Sequence, residues 1–231
     1  MRGYERDMES PNTTTLPLPA TDCAVARIVR GVPEDARREV SLLFFEAFGS
    51  KIGKVPGFPT DPDRIAEILS AILCPDRGYV AFDAHDVPVG CAWVAPRGEL
   101  LCAKPEELKA AFGPVAGWLF ALSAAPRRSD PDGVWQFEGF GVRACCRGFG
   151  IGSAMLERGI ADAREAGATT LELTVADTNE GARRLYERFG FEVVKSRWLG
   201  PLARPAGFTY LQYMEKDLTA GARPHTDGVA P

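Results

Sequence analysis

The chain has 231 residues, of which 45% are apolar, and its 27 basic and 31 acidic side chains leave a net charge of −4. This length and apolar content predict a globular protein with a substantial core, while the mild acidity argues against a nucleic-acid partner. The longest nearly pure apolar run, 115–125, is too short to cross a bilayer, and residues 1–22 carry no secretory signal pattern. We therefore expect a cytoplasmic protein with no membrane partner.

The cysteines give no sign of a metal site or of a disulfide framework. None of them has C-x-x-C spacing, and the two histidines, His85 and His225, lack a partner at metal-ligand spacing. In a chain of this length we expect every cysteine to be a reduced thiol in a cytosolic protein, and no metal to be bound. The cysteines are Cys23, Cys74, Cys91, Cys102, Cys145 and Cys146.

The two ends of the chain differ in composition from the rest. Residues 1–24 are rich in Thr, Pro and charge and show no apolar period, and 219–231 are similar. Such segments bury too little apolar surface to fold. We predict a disordered N-terminal arm over 1–24, one domain over 25–218 and a disordered C-terminal tail over 219–231.

The first half of the domain alternates between strand and helix patterns. Apolar side chains recur at helical spacing over 33–48 and again after Asp61, whose side chain suits a helix N-cap. Two alternating segments, 78–82 and 87–94, predict a hairpin with a polar turn. In chain order we predict strand 26–30, helix 33–48, loop 49–59, a helix from Asp61, the hairpin, and helix 105–122.

The second half predicts a strand, a Gly- and Arg-rich loop, and then further helices and strands. Gly167 is typical of a helix stop, and Asn179 of the cap of a short helix that ends at Gly190. Strands interleaved with helices, with a hairpin near each end, predict an α/β (α+β) fold with a mixed sheet. The predicted elements are strand 134–142, loop 143–152, helix 153–166, strand 170–175, the helix after Asn179, and strands 191–194 and 208–216.

The segment 147–152 has the properties of an anion-binding loop. Its glycines allow tight turns and a close backbone approach to a ligand. It leads into a helix N-terminus, where free N–H groups and the helix dipole favour a phosphate, and Arg147 adds a cation. Because no Gly-Lys-Ser/Thr follows, a Walker A loop is excluded.

The dinucleotide loop of an oxidoreductase is the alternative that we weigh for this segment. The unit is strand–loop–helix–strand, and Asp177 follows the second strand, where a ribose-binding acid could lie. Two features oppose this interpretation. Residues 143–147 separate the strand from the glycines, and Ser153 stands where the third glycine of G-x-G-x-x-G belongs.

Two sequence blocks resemble the GNAT family (Gcn5-related N-acetyltransferases). The family's Arg/Gln-x-x-Gly-x-Gly/Ala motif is met by Arg147, Gly150 and Gly152, and Val142 supplies the hydrophobic residue that usually ends the preceding strand. The second block, an Asn, an Ala, then Leu-Tyr and Gly-Phe, is met by Asn179, Ala182, Leu185, Tyr186, Gly190 and Phe191.

The resemblance is close over about 134–194 and extends, by the order of elements, over about 25–217. It implies the GNAT acyl-CoA acyltransferase fold, a mixed and mostly antiparallel central sheet flanked by helices. One departure is the segment 143–146, where the family often has Asp-Pro and polar residues. We assign Cys145 and Cys146 no catalytic role, because no histidine lies near them to activate a nucleophile.

The resemblance implies an N-acetyltransferase that moves an acetyl group from acetyl-CoA to a primary amine by direct attack in a ternary complex. The acceptor would be a small molecule, an amino acid or a protein amine. Pantetheine would pair with the strand backbone, and the pyrophosphate would lie on the loop amides. The implied cofactor-binding residues are Phe140, Gly141, Val142, Arg147, Gly148, Phe149, Gly150, Ile151, Gly152, Ser153, Asn179, Ala182 and Tyr186.

Two side chains are candidates for the chemistry. Gln136 and Glu138 share one face of their strand, where family members place a base, and of the two only Glu138 can titrate. Tyr186 stands where the family carries its general acid, although it also belongs to the apolar stripe of its helix. Backbone N–H groups near Val142 would hold the oxyanion, where we expect the strand to bulge and part from its neighbour.

Two other functions stay open at this point: a non-catalytic acyl-CoA-binding sensor of the same fold and the dinucleotide-binding oxidoreductase. The presence of both Glu138 and Tyr186 favours an active enzyme over the sensor. The loops 49–59 and 200–207 are candidates for shaping the acceptor side. Edge strands near the C-terminus could pair two copies into a homodimer.

Overall fold

The fold is described from a computed structural model of the chain. The described residues are 21–52, 59, 61–96, 102–104, 106–107, 110, 133–199 and 207–219. Within these ranges, no helix is both long enough and apolar enough to span a membrane.

Four α-helices and seven strands make up the described part of the chain. The helices are α1 (Arg37–Ile52), α2 (Pro62–Ile72), α3 (Ile151–Glu165) and α4 (Glu180–Arg188). The strands are β1 (Arg27–Arg30), β2 (Gly78–Phe82), β3 (Pro88–Pro96), β4 (Val134–Val142), β5 (Thr170–Ala176), β6 (Glu192–Trp198) and β7 (Tyr210–Asp217). The predicted order of strands and helices over these ranges is confirmed.

Helix α2 shows how local sequence sets an element and its buried face. The Asp61 side chain caps it by accepting from the Arg64 N–H at 2.9 Å, and Pro62 occupies the first turn, where its missing N–H costs nothing. The apolar side chains at helical spacing are all buried, as predicted: Ile65, Ile68, Leu69 and Ile72.

The sheet is open and has the strand order β1-β2-β3-β4-β5-β7-β6. Among the described strands, only β4 and β5 run parallel, pairing over Val134–Phe137 and Thr170–Leu173; the other neighbouring pairs are antiparallel. The mixed, mostly antiparallel sheet is therefore confirmed. Strand β6 forms one edge, and all of its residues are exposed; the pairing of two copies stays a prediction.

Helices cover the sheet on both faces and bury two apolar clusters. On one face α3 packs on β2 to β5 through side chains such as Met155, Phe137 and Leu171. On the other face α1 and α2 pack on β2 and β3 around Trp93, whose indole N–H donates to the Cys74 carbonyl at 2.8 Å. We call these the α3 face and the α1 face.

Some predicted boundaries move, and some predictions fall outside the described residues. Helix α1 continues to Ile52, so the predicted loop 49–59 starts later. Of the predicted helix 105–122 only 106, 107 and 110 are described, and of the loop 200–207 only Gly207. Helix α3 begins two residues earlier than predicted, because Gly150 adopts a left-handed φ of 82° and completes the turn there.

The prediction that all cysteines are reduced is wrong. Cys23 is bonded to Cys146 and Cys74 to Cys102, with sequence separations of 123 and 28 residues. Of the other two, Cys91 is a buried thiol and Cys145 an exposed one. Folding brings each pair to a Cα–Cα distance of 4.9 or 5.0 Å, within disulfide range, and no spacing rule reveals such distant pairs.

The disulfides bear on two other expectations. The expected cytoplasmic location rested on reduced thiols, so that argument no longer supports it. Among the described residues, the sulfur atoms of Cys23, Cys145 and Cys146 lie within 4.8 Å of one another, and two of the three are joined in a disulfide. The absence of a metal stays a prediction.

The predicted N-terminal arm is described only over 21–24. This segment lies against the domain: the Thr21 hydroxyl donates to Asp83 at 2.6 Å, and Cys23 is bonded to Cys146. Residues 1–20 and 220–231 lie outside the described residues. The division into arm, domain and tail therefore stays a prediction.

Candidate functional site

Strand β4 parts from β5 in the middle of the sheet. Within the described ranges, the pairing of the two strands ends at Phe137, so the edge of β4 that faces β5 is open from Glu138 to Val142. A register shift between β3 and β4 falls in the same stretch, and Gly139 there has a φ of 57°. The parting begins four residues before Val142, earlier than the sequence suggested.

Gly139 is required at this bend for two reasons. Its left-handed φ suits glycine, and a Cβ at this position would meet the Phe44 ring at 2.7 Å and the Trp93 ring at 3.0 Å. The bend therefore packs tightly against α1 while it opens β4 toward β5. Such an opening leaves backbone N–H and C=O groups available to a ligand.

The predicted anion loop joins the end of β4 to the start of α3. Gly148 and Gly150 have φ values of 88° and 82°, and Gly148, Phe149 and Gly150 are exposed. The first N–H groups of α3, from Ile151 onward, have no acceptor inside the helix, and no described side chain caps them. This backbone turn presents several free donors and the positive end of a helix dipole.

Close packing holds the loop against α4. A Cβ on Gly152 would meet Leu185 Cδ2 at 3.0 Å and the Phe140 ring at 3.7 Å. The rings of Phe140 and Tyr186 pack edge to face with centroids 6.2 Å apart. The structure thus brings together the predicted residues of β4, α3 and α4 at the open end of β4.

Arg147 and Asn179 lie at the two sides of this region. Arg147 is exposed, and its Nε donates to the Val142 carbonyl at 3.4 Å, which places its cation beside the end of β4. The Asn179 side chain accepts from the Ala182 N–H at 3.3 Å, so its predicted role as a helix cap is confirmed. Their contacts with a cofactor stay predictions.

Tyr186 is buried between two aromatic rings on the α3 face. It is 6% exposed and packs edge to face against Phe140 and Phe191. Burial raises the pKa of Tyr186 well above its ordinary value, so the phenol stays protonated at neutral pH. Tyr186 therefore lies in the core with a protonated hydroxyl group that can donate a hydrogen bond. Its catalytic role stays a prediction.

Glu138 lies on the opposite side of β4 from Tyr186. It pairs with Trp93, and Gln136 with Ala95, across the β3–β4 ladder, so Glu138 shares the α1 face with Trp93. Phe137 between them belongs to the cluster on the α3 face. The two predicted catalytic side chains therefore flank the open edge of β4 from its two faces.

One residue that the sequence analysis passed over is Arg143. It is 6% exposed, and its Nε and Nη1 atoms are buried without a hydrogen-bond partner among the described residues. Its only sequence signal is its place directly after β4, where the family often has an acid-proline pair. A positive charge at a strand end is too common to mark a site.

The fold and the site define a class of protein: a sheet opened between two parallel strands beside an anion-binding loop is the architecture of an acetyl-transferring enzyme. The model of the acetyltransferase (GNAT) family matches residues 54–191, and the chain belongs to this family. The family decides between the two interpretations of the loop in favour of an acetyltransferase over an oxidoreductase.

Individual relatives agree with the family. The chain is 34% identical over 150 residues to a mycothiol acetyltransferase of Propionibacterium freudenreichii subsp. shermanii, over 63% of this chain and 45% of that protein. The chain therefore spans less than half the length of this relative.

Solved structures show the same fold. A GCN5-related N-acetyltransferase from Kribbella flavida matches with a TM-score of 0.55 at 21% identity, covering 83% of this chain and 96% of the other. Another acetyltransferase matches with a TM-score of 0.54 at 22% identity, covering 84% of this chain and 100% of the other.

Proposed function

We propose that the protein is an N-acetyltransferase that transfers an acetyl group from acetyl-CoA to a primary amine by direct attack. The observation that carries this proposal is the open edge of β4 over 138–142, flanked by a carboxylate on one face and a buried phenol on the other. The anion loop lies at the end of the same strand. These features match what a thioester, an amine and a diphosphate require together.

The residues present fit acetyl-CoA. The amides of 148–153 would hold the pyrophosphate at the start of α3, and the exposed Arg147 would add a charge-assisted contact. The open backbone of 140–142 would pair with the amides of pantetheine, as a neighbouring strand would. Asn179 and Ala182, at the start of α4, would border the pantetheine arm.

When bound, acetyl-CoA supplies an acyl group activated as a thioester, and the side chains around β4 manage the protons. Glu138 takes a proton from the attacking amine, directly or through a water. Backbone N–H groups along the open edge of β4 stabilise the negative charge that develops on the carbonyl oxygen. Tyr186 donates a hydrogen bond and then its proton to the departing sulfur.

The magnitude of the Tyr186 contribution follows from its acidity. A thiol has a pKa of about 8.5 and an unperturbed phenol one of about 10, and burial moves Tyr186 further upward. Full proton transfer from Tyr186 is therefore uphill even when the sulfur carries its whole negative charge. We assign Tyr186 a stabilising hydrogen bond with late proton transfer, and a moderate share of the rate.

Ligand-dependent thermal unfolding tests the cofactor first. Acetyl-CoA or CoA at 100 times its Kd should stabilise the protein by about 2.7 kcal/mol, which is roughly 5–10 °C in Tm at this size, while NADH should not. Transfer is then followed as CoA release and product mass over a panel of small amines, amino acids and peptide N-termini, with the acceptor of the mycothiol acetyltransferase included. A shift with NADH alone, or CoA binding with no acetylated amine, would reject the proposal.

A further inference from the structure

An arginine with two unpaired guanidinium nitrogens lies at the end of the strand that carries the proposed reaction centre. Arg143 follows β4 directly, and its N–H donates to the Val89 carbonyl at 3.0 Å, which continues the ladder with β3. The residue is 6% exposed. Its Nε and Nη1 atoms have no hydrogen-bond partner in the part of the chain that the structure describes.

Strand alternation from Gly141 assigns the Arg143 side chain to the α1 face, which is the side of Glu138. A Cβ on Gly141 would meet Ala47 of α1 at 2.8 Å, and Arg143 lies two residues further along the extended chain, on the same face. The next residue also contacts α1, because the Ala144 N–H donates to Glu46 at 2.5 Å. The anion loop and α3 lie toward the other face.

No carboxylate from the described ranges forms an ion pair with this guanidinium. The carboxylate that α1 supplies here, Glu46, accepts the Ala144 N–H, and no ion pair joins it to Arg143 among the described residues. Burying guanidinium N–H groups without hydrogen bonds is costly, so a ligand that accepts from Nε and Nη1 would remove that cost. Guanidinium forms two parallel hydrogen bonds with a carboxylate, a geometry that a single ammonium cannot offer.

We propose that Arg143 binds the carboxylate of the acceptor, so that the substrate is an amine that also carries a carboxylate, such as an amino acid. This inference rests on the proposed acetyl transfer. Arg143 directly follows Val142, near whose backbone N–H the oxyanion would lie, so the arginine is at the same end of β4 as the proposed oxyanion site. An acceptor whose carboxylate lies beside its attacking amine would bring that carboxylate toward this guanidinium.

Matched acceptors test the inference. Each amino acid that the wild-type protein acetylates is compared with its carboxamide, for example leucine with leucinamide. The wild type should prefer the acid in kcat/KM. Arg143→Gln should lower kcat/KM for the acid by about 10- to 100-fold, as loss of charged hydrogen bonds does, and leave the carboxamide within about two-fold. Arg64→Gln, at an exposed surface ion pair with Glu67, is the control and should change neither.

Each other outcome of the acceptor comparison has its own interpretation. A raised KM for acetyl-CoA with an unchanged acid-to-amide ratio would assign Arg143 to a cofactor phosphate and overturn the inference. Equal losses for acid and amide, or a wild type without preference, would overturn it while leaving the acetyltransferase intact. CoA binding with no transfer to any amine would overturn the proposed function and this inference together.

A stability measurement separates a ligand site from a structural role. Arg143→Met removes the buried charge and keeps a flexible apolar chain of similar length. Its Tm without ligands should equal or exceed that of the wild type, because no hydrogen bond of the guanidinium Nε or Nη1 is lost. A clear fall in Tm for both Arg143→Met and Arg143→Gln would show that Arg143 holds the fold, and would overturn the inference.

Discussion

The two faces of β4 are built in different ways. On the α3 face the anion loop, Phe140 and Tyr186 come from one continuous stretch, 134–191. On the α1 face the end of β4 meets α1, where Glu46 is 98 residues before its partner Ala144. The proposed cofactor side thus follows mostly from local spacing, whereas the proposed acceptor side also depends on contacts with the distant helix α1. A family can keep the first and vary the second, so its shared motif predicts the cofactor and leaves the acceptor open.

The largest expected effect belongs to the α1 face. Glu138→Gln removes the proposed base and keeps a side chain of the same shape. We expect kcat/KM to fall by about 10²- to 10⁴-fold at neutral pH, the usual contribution of a general base. Steady-state rates from pH 5.5 to 9.5 measure this.

The control for Glu138 is Glu67→Gln on α2, an exposed carboxylate paired with Arg64, which should leave the rates within two-fold. An unchanged kcat/KM in Glu138→Gln across this range would remove the base assignment. It would also mean that the α1 face positions the acceptor and does not take a proton from its amine.

The Cys23–Cys146 disulfide is a distant contact that ends directly before the anion loop, so its removal tests whether local sequence alone shapes that loop. We expect the double variant Cys23→Ala, Cys146→Ala to lose about 2–4 kcal/mol of unfolding free energy, because the bond closes a long loop. The Kd for CoA should change little if local sequence shapes the loop. Urea unfolding and calorimetric titration measure the two quantities.

Cys145→Ala is the matched control, because it removes an exposed free thiol and should leave stability unchanged. Alkylation of the unfolded, unreduced wild type checks the bonds themselves: Cys91 and Cys145 should react, and the other four cysteines only after reduction. A large rise in the Kd for CoA in the double variant would show that the arm helps to shape the cofactor loop.

Tyr186→Phe tests the α3 face. We expect kcat to fall about ten-fold, which is about 1.4 kcal/mol, with the KM for acetyl-CoA little changed. Because the pKa of Tyr186 is raised by burial, no loss of activity from ionisation of this phenol should appear below about pH 10. Single-turnover rates separate this effect from product release.

The control for Tyr186→Phe is the thermal stability of the same variant. Phenylalanine keeps the ring contacts with Phe140 and Phe191, so the Tm of Tyr186→Phe should stay close to the wild type. A wild-type kcat in this variant would leave Tyr186 as a core residue alone. Of the two predicted catalytic residues, only Glu138 on the α1 face would then remain as a group that transfers a proton.

Local rules predicted the helices, the strands and the conformation of the glycine loop well, and the cofactor contacts stay a prediction. Asp61 and Asn179 cap helices as expected, and β4 has the predicted bounds. These features depend on residues within a few positions of one another, where capping, periodicity and glycine conformation act. The end of α1 was placed too early because its last turn holds Gly49, which is typical of a helix stop and here continues the helix.

The contacts that sequence reasoning missed are those that only the folded sheet creates. The disulfides join residues 123 and 28 positions apart. Whether the Nε and Nη1 atoms of Arg143 find a hydrogen-bond partner depends on which side chains of other elements surround them in the fold. Neither spacing nor composition carries that information. The parting of β4 from β5 was expected, but its start after Phe137 depends on the contact of Gly139 with Phe44 and Trp93.

The smallest expected effect concerns Asp83, which holds the segment before β1 beside the disulfide. Asp83 is 1% exposed. Burial alone would raise its pKa, but donors from Thr21, Val87, His85 and Asp22 outweigh this and hold the pKa below its ordinary value. A carboxylate with a lowered folded pKa stabilises the fold above its unfolded pKa, about 3.9, and this stabilisation is lost as the pH falls through the folded pKa.

Asp83→Asn should therefore cost about 1 kcal/mol of unfolding free energy at neutral pH, and the difference from the wild type should shrink below about pH 4. Asp86→Asn, which removes an exposed ion pair with Arg27, is the control and should stay within about 0.5 kcal/mol at every pH. Denaturant unfolding between pH 3 and 7 measures both. A difference that persists unchanged to pH 3 would mean that shape rather than charge holds the segment, and the Cys23–Cys146 bond would then be its main tie to the loop.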